Sequence, residues 1–362
     1  MNDAGPQEIA RPLLLRFPAR EQVVFAKRLG MILRSGLPLR EGLAIVGGEH
    51  TSRSAAYIFA RILSDVSRGR TLSSSLASLS PVFGSFAVHI VRVGETSGML
   101  HQNLEHLSRE LKKKEALKKK VLGALVYPAV IVLATIGISL GLTIYIFPKI
   151  IPIFQSFKQS LPLSTRVLIA VSGFLVRDGV FVLAAVVAAA AGFFFLLRFE
   201  PARRALERVL LRLPIFGALS RSYQLANITR TIGVLLQGDM RIVEALEIVA
   251  QTSHSGMYRD ALRHIAAQAA QGQRLSRGMR ANPRLFPPLC AQMVSAGEET
   301  GSLAASLLYL SDMYEEDIND LTRNLTTLLE PMLMIVMGLI VGFIAISIIT
   351  PIYGITQNLT PH

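Results

Sequence analysis

The chain has 362 residues, 51% of them hydrophobic and 17% charged, and its 38 Lys and Arg against 25 Asp and Glu leave a net charge of +13. So much apolar surface excludes a disordered chain, and the lone Cys290 excludes a disulfide-stapled secreted domain. A charged fraction below the globular norm of roughly 25% argues against an ordinary soluble enzyme, because the apolar residues gather in three long runs.

Residues 1–20 read as a polar N-terminal lead, with Asp3, Glu8 and Arg11 in place of a signal-peptide pattern. Apolar residues at i, i+3 and i+4 then predict helices over Glu21–Arg34 and Leu39–Val46, broken by Ser35-Gly36-Leu37-Pro38. Further helices are expected over Ser54–Val66, Leu72–Leu79 (ended by Ser80-Pro81) and Phe86–Thr96, where Gly98 takes the left-handed stop position. From Leu100 a long helix is expected to run through Lys112, Lys113, Lys114, Lys118, Lys119 and Lys120 into the first apolar run, 122–148. These helices make a first helical domain over 21–121.

The runs 122–148, 179–197 and 331–350 hold enough consecutive apolar residues to cross a bilayer core of about 30 Å. Residues 149–178 form the hairpin between the first two, and Val167–Val176, bracketed by Arg166, Arg177 and Asp178, reads as a short interfacial or packed amphipathic segment. A second helical domain fills 198–330, with Ser302 as N-cap of its last helix, and 351–362 form a tail. Basic clusters lie before the first span and after the second (Arg198, Arg203, Arg204, Arg208, Arg212), and the tail has no Lys or Arg. The positive-inside rule therefore places the N-terminus and both domains in the cytoplasm, and the hairpin and tail in the periplasm. The lysines serve as topology signals and contacts for anionic lipids. No tryptophan and no interleaved aromatics are present to stack on nucleic acid.

The chain is written twice. Shifting residues 25–151 by 203 places Gly30 on Gly233, Glu41 on Glu244, Gly69 on Gly272, Leu72-Ser73 on Leu275-Ser276, Pro128 on Pro331 and Pro148 on Pro351 without a gap. The same shift sets Gly94, Glu95 and Gly98 on Gly297, Glu298 and Gly301, a GExxG in each copy. Both copies enter the membrane from one side, so this is a parallel duplication, unlike the inverted repeats of many transporters. Pro128 and Pro331 mark where the first and third helices enter the bilayer.

Catalytic or metal chemistry is not expected. The histidines are scattered, and there is no HExxH, CxxC, phosphate loop or GxSxG elbow. Nothing calls for a cofactor. The spans carry no ionisable residue at depth, which weighs against the alternative of a small-solute transporter. Glu330, at the edge of the third span, reads as a carboxylate in the first turn of a helix. Gly137/Gly141 and Gly338/Gly342 form small-xxx-small pairs that allow close helix packing.

A parallel repeat of helical domains with three spans and two GExxG motifs resembles the inner-membrane platform family of type II secretion F proteins and type IV pilus assembly platform proteins. The residues that carry the resemblance are Ser35-Gly36-Leu37-Pro38-Leu39 with Glu41 and Leu43, Val93 to Leu100, Tyr127-Pro128, Ile146-Phe147-Pro148-Lys149, Leu161-Pro162 and Ala296 to Gly301. The resemblance implies an all-α, non-enzymatic scaffold in the bacterial inner membrane. Such a scaffold meets a hexameric cytoplasmic ATPase and other inner-membrane assembly proteins, passes pilin or pseudopilin subunits into a filament, and works as a homo-oligomer. The second copy departs from the pattern with Gly238-Asp239-Met240-Arg241, which lacks the proline. Each GExxG then has two readings: a helix stop in which the glutamate takes free backbone N–H groups, or a docking edge for the ATPase or a neighbouring protomer.

The copies differ in charge. Residues 1–123 hold 19 basic and 10 acidic side chains, residues 198–330 hold 15 and 14. The shift sets Arg109, Lys112, Lys113 and Lys114 on Asp312, Glu315, Glu316 and Asp317. These opposed clusters predict that the two long juxtamembrane helices pair, within a chain or between protomers.

Overall fold

A computed structural model describes residues 15–48, 52–156, 162–196, 199–212, 214–253 and 255–357. Residues 1–14 of the lead, His50, Leu161, Leu197 and Arg198 at the end of the second span, His254 and the tail from 358 lie outside the described residues. In chain order the helices are α1 Ala19–Arg34, α2 Leu39–Gly47, α3 Arg53–Ser67, α4 Leu72–Ser78, α5 Ser80–Thr96 and α6 Leu100–Gly141. A π-helical turn, Leu142–Ile146, leads into α7 Phe147–Ser156, followed by α8 Leu163–Leu196 and α9 Glu200–Arg212. The second copy supplies α10 Pro214–Gln237, α11 Ile242–Thr252, α12 Gly256–Ala270, α13 Leu275–Arg280, α14 Pro288–Thr300 and α15 Leu303–Gln357. Among the described residues there is no strand, and the fold is all-α.

The chain divides into two compact units, Met1–Lys120 with Val209–Asn319, and Val121–Arg208 with Asp320–His362. The first unit holds both copies of the repeated helical domain, built with the same devices. Ser52 and Ser255, 203 apart, cap α3 and α12 by accepting from the Ala55 and Tyr258 N–H groups. Ser108 of α6 donates to the Val23 carbonyl at 3.1 Å, and Ser311 of α15 repeats that bond to Ala226 at 3.0 Å. A carbon on Gly30 would lie 3.2 Å from the His101 carbonyl, and one on Gly233 2.9 Å from Leu308. Both glycines thus let the first helix of a copy approach its long last helix. The core of the first copy is built on Phe25, Leu29, Ile58, Ile62 and Leu76, with Phe17, Phe25, Phe59 and Phe83 in tilted and edge-on ring contacts 5.4–5.8 Å apart. In the second, Tyr258 stands edge-on to Phe286 and donates to the Leu285 carbonyl at 2.9 Å.

The turn that lacks its proline in the second copy keeps the same backbone. Gly36 has φ +89° and Asp239, at the equivalent place, has φ +58°. Asp is among the few residues with a side chain that tolerate this region. Asp239→Val is therefore expected to cost about 1–2 kcal/mol and Asp239→Gly to leave stability unchanged or slightly raised. Cys290 supplies the readout. It is fully buried, and burial pushes its thiol up to about 12, so a fluorogenic maleimide reacts only as the second copy opens.

Three helices are long and apolar enough to cross a membrane, within Leu100–Pro152, Leu163–Phe193 and Leu303–Thr350. The structure changes two expectations about them. Val167–Val176 packs one face, through Leu168 and Ser172, but it is not separate from the second span: α8 runs unbroken through Arg166, Arg177 and Asp178. Its Leu168 packs with Phe147 against Ile150, Ile151 and Ile348. Glu330 is not in a first turn, because α15 begins at Leu303 and continues to Gln357. Pro128 and Pro331 lie inside continuous helices, beyond the unit boundary, where each removes one intrahelical donor without ending the helix.

Hydrogen bonds from hydroxyls to backbone tie the membrane unit together. Buried Ser172 donates to the carbonyl of Thr143, in the π turn, at 2.7 Å, and buried Thr165 donates to the Ser347 carbonyl at 2.8 Å. Without water to compete, such polar contacts hold apolar helices in place. Ser139, Leu140, Thr143, Leu168, Leu339 and Phe343 border an open, almost wholly apolar groove of about 360 Å³ among these helices. Gly137, Gly141, Gly338 and Gly342 have open space where a side chain would stand, so among the described residues neither small-xxx-small pair packs a helix of this chain.

Candidate functional site

In the two GExxG corners both glycines and the glutamate each have a physical task. Leu72 and Leu275 open the short helices α4 and α13, whose first N–H groups have no intrahelical acceptor. The Glu95 carboxylate accepts from the Leu72 N–H at 2.5 Å and the Ser73 N–H at 3.0 Å. Glu298 accepts from Leu275 at 2.5 Å, from the Ser276 N–H at 3.3 Å and from the Ser276 hydroxyl at 2.6 Å. The negative charge also sits at the positive end of the helix. A carbon on Gly94 would lie 2.8 Å from Asn103 Cβ and 3.0 Å from Leu100 Cα, and one on Gly297 2.7 Å from Ser306 Oγ. Gly98 and Gly301 both have φ +71°, the left-handed stop. The arrangement is thus the helix stop, with the glutamate holding a second helix by its free end. Thr96, Ser97, Glu299 and Thr300 remain exposed on the outer side of each corner.

The charged residues of the long helices are placed differently from the register argument. Asp312 and Glu315, which the shift sets on Arg109 and Lys112, both bond to Arg230 of α10, its Nη2 donating at 2.8 and 2.7 Å. The other guanidinium nitrogen, Nη1, lies 3.7 Å from the buried Glu110 of α6, so one arginine spans both copies. Arg109, Lys112, Lys113 and Lys114 stand exposed, and Lys113 meets Glu110 of its own helix at 3.9 Å. Glu316 and Asp317 are exposed as well. Lower down, Lys120 donates to the Asn319 side chain, a direct contact between the long helices. Arg230 was missed because its copy-one counterpart, Lys27, is a plain exposed lysine. The signal was present: under the shift, Lys27, Arg109 and Lys112 are all cationic, so only the second copy has opposite charges at those three places.

His89, Arg92 and Glu244 border a pocket of about 210 Å³ where α5 of the first copy meets α11 of the second. Burial lowers the His89 pKa below its usual 6.5, with Glu244 opposing and Arg92 adding to the shift. The fold therefore favours neutral His89. That contribution is complete above about pH 6.5 and is lost as pH falls through the lowered value. The unfolding midpoint is expected to drop between pH 7 and 5, and His89→Gln to flatten that drop, read by thermal melts followed by circular dichroism at each pH. Among the described residues no three His, Cys, Asp or Glu side chains come together to hold a metal ion.

Comparison with known proteins agrees with this duplicated plan. The sequence model of the family described as type II secretion system (T2SS), protein F, matches twice, over residues 25–148 and 228–351, again 203 apart. The type IV pilus assembly protein PilC of Thermus thermophilus is 32% identical over 354 residues, covering 98% of this chain and 87% of that protein. PilC of Pseudomonas aeruginosa is 30% identical, with 91% and 88% covered. The type II secretion system protein F of the same species is 29% identical, with 94% and 84% covered.

Proposed function

The chain belongs to the type II secretion system protein F family, and from that premise we propose that it is the inner-membrane platform on which a cytoplasmic assembly ATPase drives pilin or pseudopilin subunits into a filament. It works by conformational coupling, with no chemical step of its own. The observation that carries the reading is the double family match over this chain, together with its likeness to relatives named for pilus assembly and for type II secretion. Support comes from α6 and α15, which each run without a break from a helical domain into an apolar span. A displacement imposed on the domains by the ATPase is passed along these helices to the bilayer. Subunits leaving the bilayer meet the apolar groove beside Leu140, Thr143 and Phe343. The N-terminus and both domains face the cytoplasm, and the exposed lysines before the first span touch anionic headgroups.

Both oxygens of Glu95 and of Glu298 are engaged inside the chain, so docking falls to the exposed shoulders of the corners. Photoreactive residues at Ser97 and Thr300, in cells assembling filaments, are expected to capture a hexameric ATPase at one of the two corners. One placed at Leu140 is expected to capture pilin-like subunits. Capture of neither refutes the platform reading.

A further inference from the structure

Besides the contacts of α6, the two copies pack on each other through α5 of the first and the start of the second, and the equivalents of these two faces are exposed among the described residues. Inside the chain, α5 of the first copy lies on α10 and α11 of the second. Val234 joins the first copy's core and is 2% exposed, Met240 is 6% exposed, and Ile248 borders the pocket with His89. Phe86 of α5 packs against the same cluster. The shift of 203 carries Val234, Met240 and Ile248 back onto Met31, Leu37 and Ile45 of α1 and α2. These are equally apolar, yet 56%, 39% and 49% exposed. It carries Phe86 forward onto Leu289 of α14, which is 49% exposed. Among the described residues, each chain therefore has one copy of the receiving face and one of the inserted face without a partner, in the unit outside the membrane spans.

Exposed apolar residues scattered singly need no explanation. Here Met31 holds the place of Val234, buried in the first copy's core, and Leu37 that of the buried Met240, while Ile45 and Leu289 hold those of the part-buried Ile248 and Phe86 beside the same contact, and each free face complements the other. We propose that the α14 face of one chain, centred on Leu289, docks on the α1–α2 face of a second copy, centred on Met31 and Leu37, repeating between chains the packing of α5 on α10 and α11. The polar positions fit the same pairing. Where His89 and Arg92 stand near Glu244, the interface between chains sets Gln292 and Ser295 against Glu41, donors against a carboxylate. Such an interface is heterologous: different patches meet, and chains join head to tail in a ring or row rather than as a two-fold pair.

The test uses the full-length chain, purified in detergent and also in native membranes, with a photoreactive amino acid at Leu289. Mixing isotopically light and heavy chains identifies adducts between copies. Adducts are expected on residues 31–45 of another chain, and Met31→Asp with Leu37→Asp should cut their yield about five-fold or more. Continued protection of a reporter cysteine at Ala87, buried in the same copy, together with that of Cys290 shows that this variant remains folded. If protection is lost, Leu289→Asp with the photoreactive group at Met31 takes its place. Adducts between two Leu289 faces, adducts confined to the N-terminal residues of the same chain, or capture of an unrelated protein alone would each overturn the proposal.

Discussion

Glu298→Ala is expected to lower the temperature at which Cys290 becomes reactive by about 4–8 °C, equivalent to about 2 kcal/mol in a unit of this size. The substitution leaves the Leu275 and Ser276 N–H groups and the Ser276 hydroxyl without their acceptor. It also removes a negative charge from the N-terminus of α13. Glu298→Gln keeps one acceptor oxygen and loses the charge, so about half the loss is expected. Glu298→Asp is one methylene shorter and should behave more like Ala. An unchanged midpoint in Glu298→Ala would mean that the carboxylate does not hold the corner, and its presence in both copies would then point to docking. Glu95→Ala applies the same change to the first copy, where the Leu72 and Ser73 N–H groups lose their acceptor. A reporter cysteine at the buried Ala87, the counterpart of Cys290, would read it there.

Arg230→Gln is expected to cost about 2 kcal/mol, since it strands Glu110, Asp312 and Glu315 without their shared cation. The buried Glu110 contributes most of that cost, and the largely exposed Asp312 least. Arg230→Lys should recover only part of it. A lysine presents a single charged nitrogen, whereas the guanidinium holds Glu110 with Nη1 and the α15 carboxylates with Nη2. A double-mutant cycle with Glu110→Gln isolates the link between the copies, and a coupling of about 0.5–1.5 kcal/mol is expected. A coupling near zero would show that Arg230 serves α15 alone. If the link is intact in the wild type and motion passes between the copies, Arg230→Gln should also impair filament assembly while leaving the chain in the membrane.

The sequence by itself determined the helices, the three apolar runs and the duplication, because these are written in local periodicity, length and register. Ser35-Gly36-Leu37-Pro38 and Gly238-Asp239-Met240-Arg241 were legible as equivalent turns, and the backbone agrees, with Gly36 and Asp239 both at positive φ. The GExxG was legible as a motif whose glutamate could take free N–H groups. Which helix it holds was not, because Leu72 precedes Glu95 by 23 residues and only packing brings them together. Tertiary structure alone decided the fate of the charges. Register places Arg109 and Lys112 opposite Asp312 and Glu315, but register is a relation between copies, not a distance. Arg230, one helix away, is the nearer and less hydrated cation and takes both carboxylates. Continuity of the helices was also decided in three dimensions: Arg166, Arg177 and Asp178 punctuate the sequence, yet the backbone of α8 continues through them because intrahelical hydrogen bonds do not depend on the polarity of the side chains. Burial separated the two copies in the same way. Met31 and Val234 are indistinguishable as apolar letters at one register position, and only the packing of α5 on the second copy covers one and leaves the other exposed.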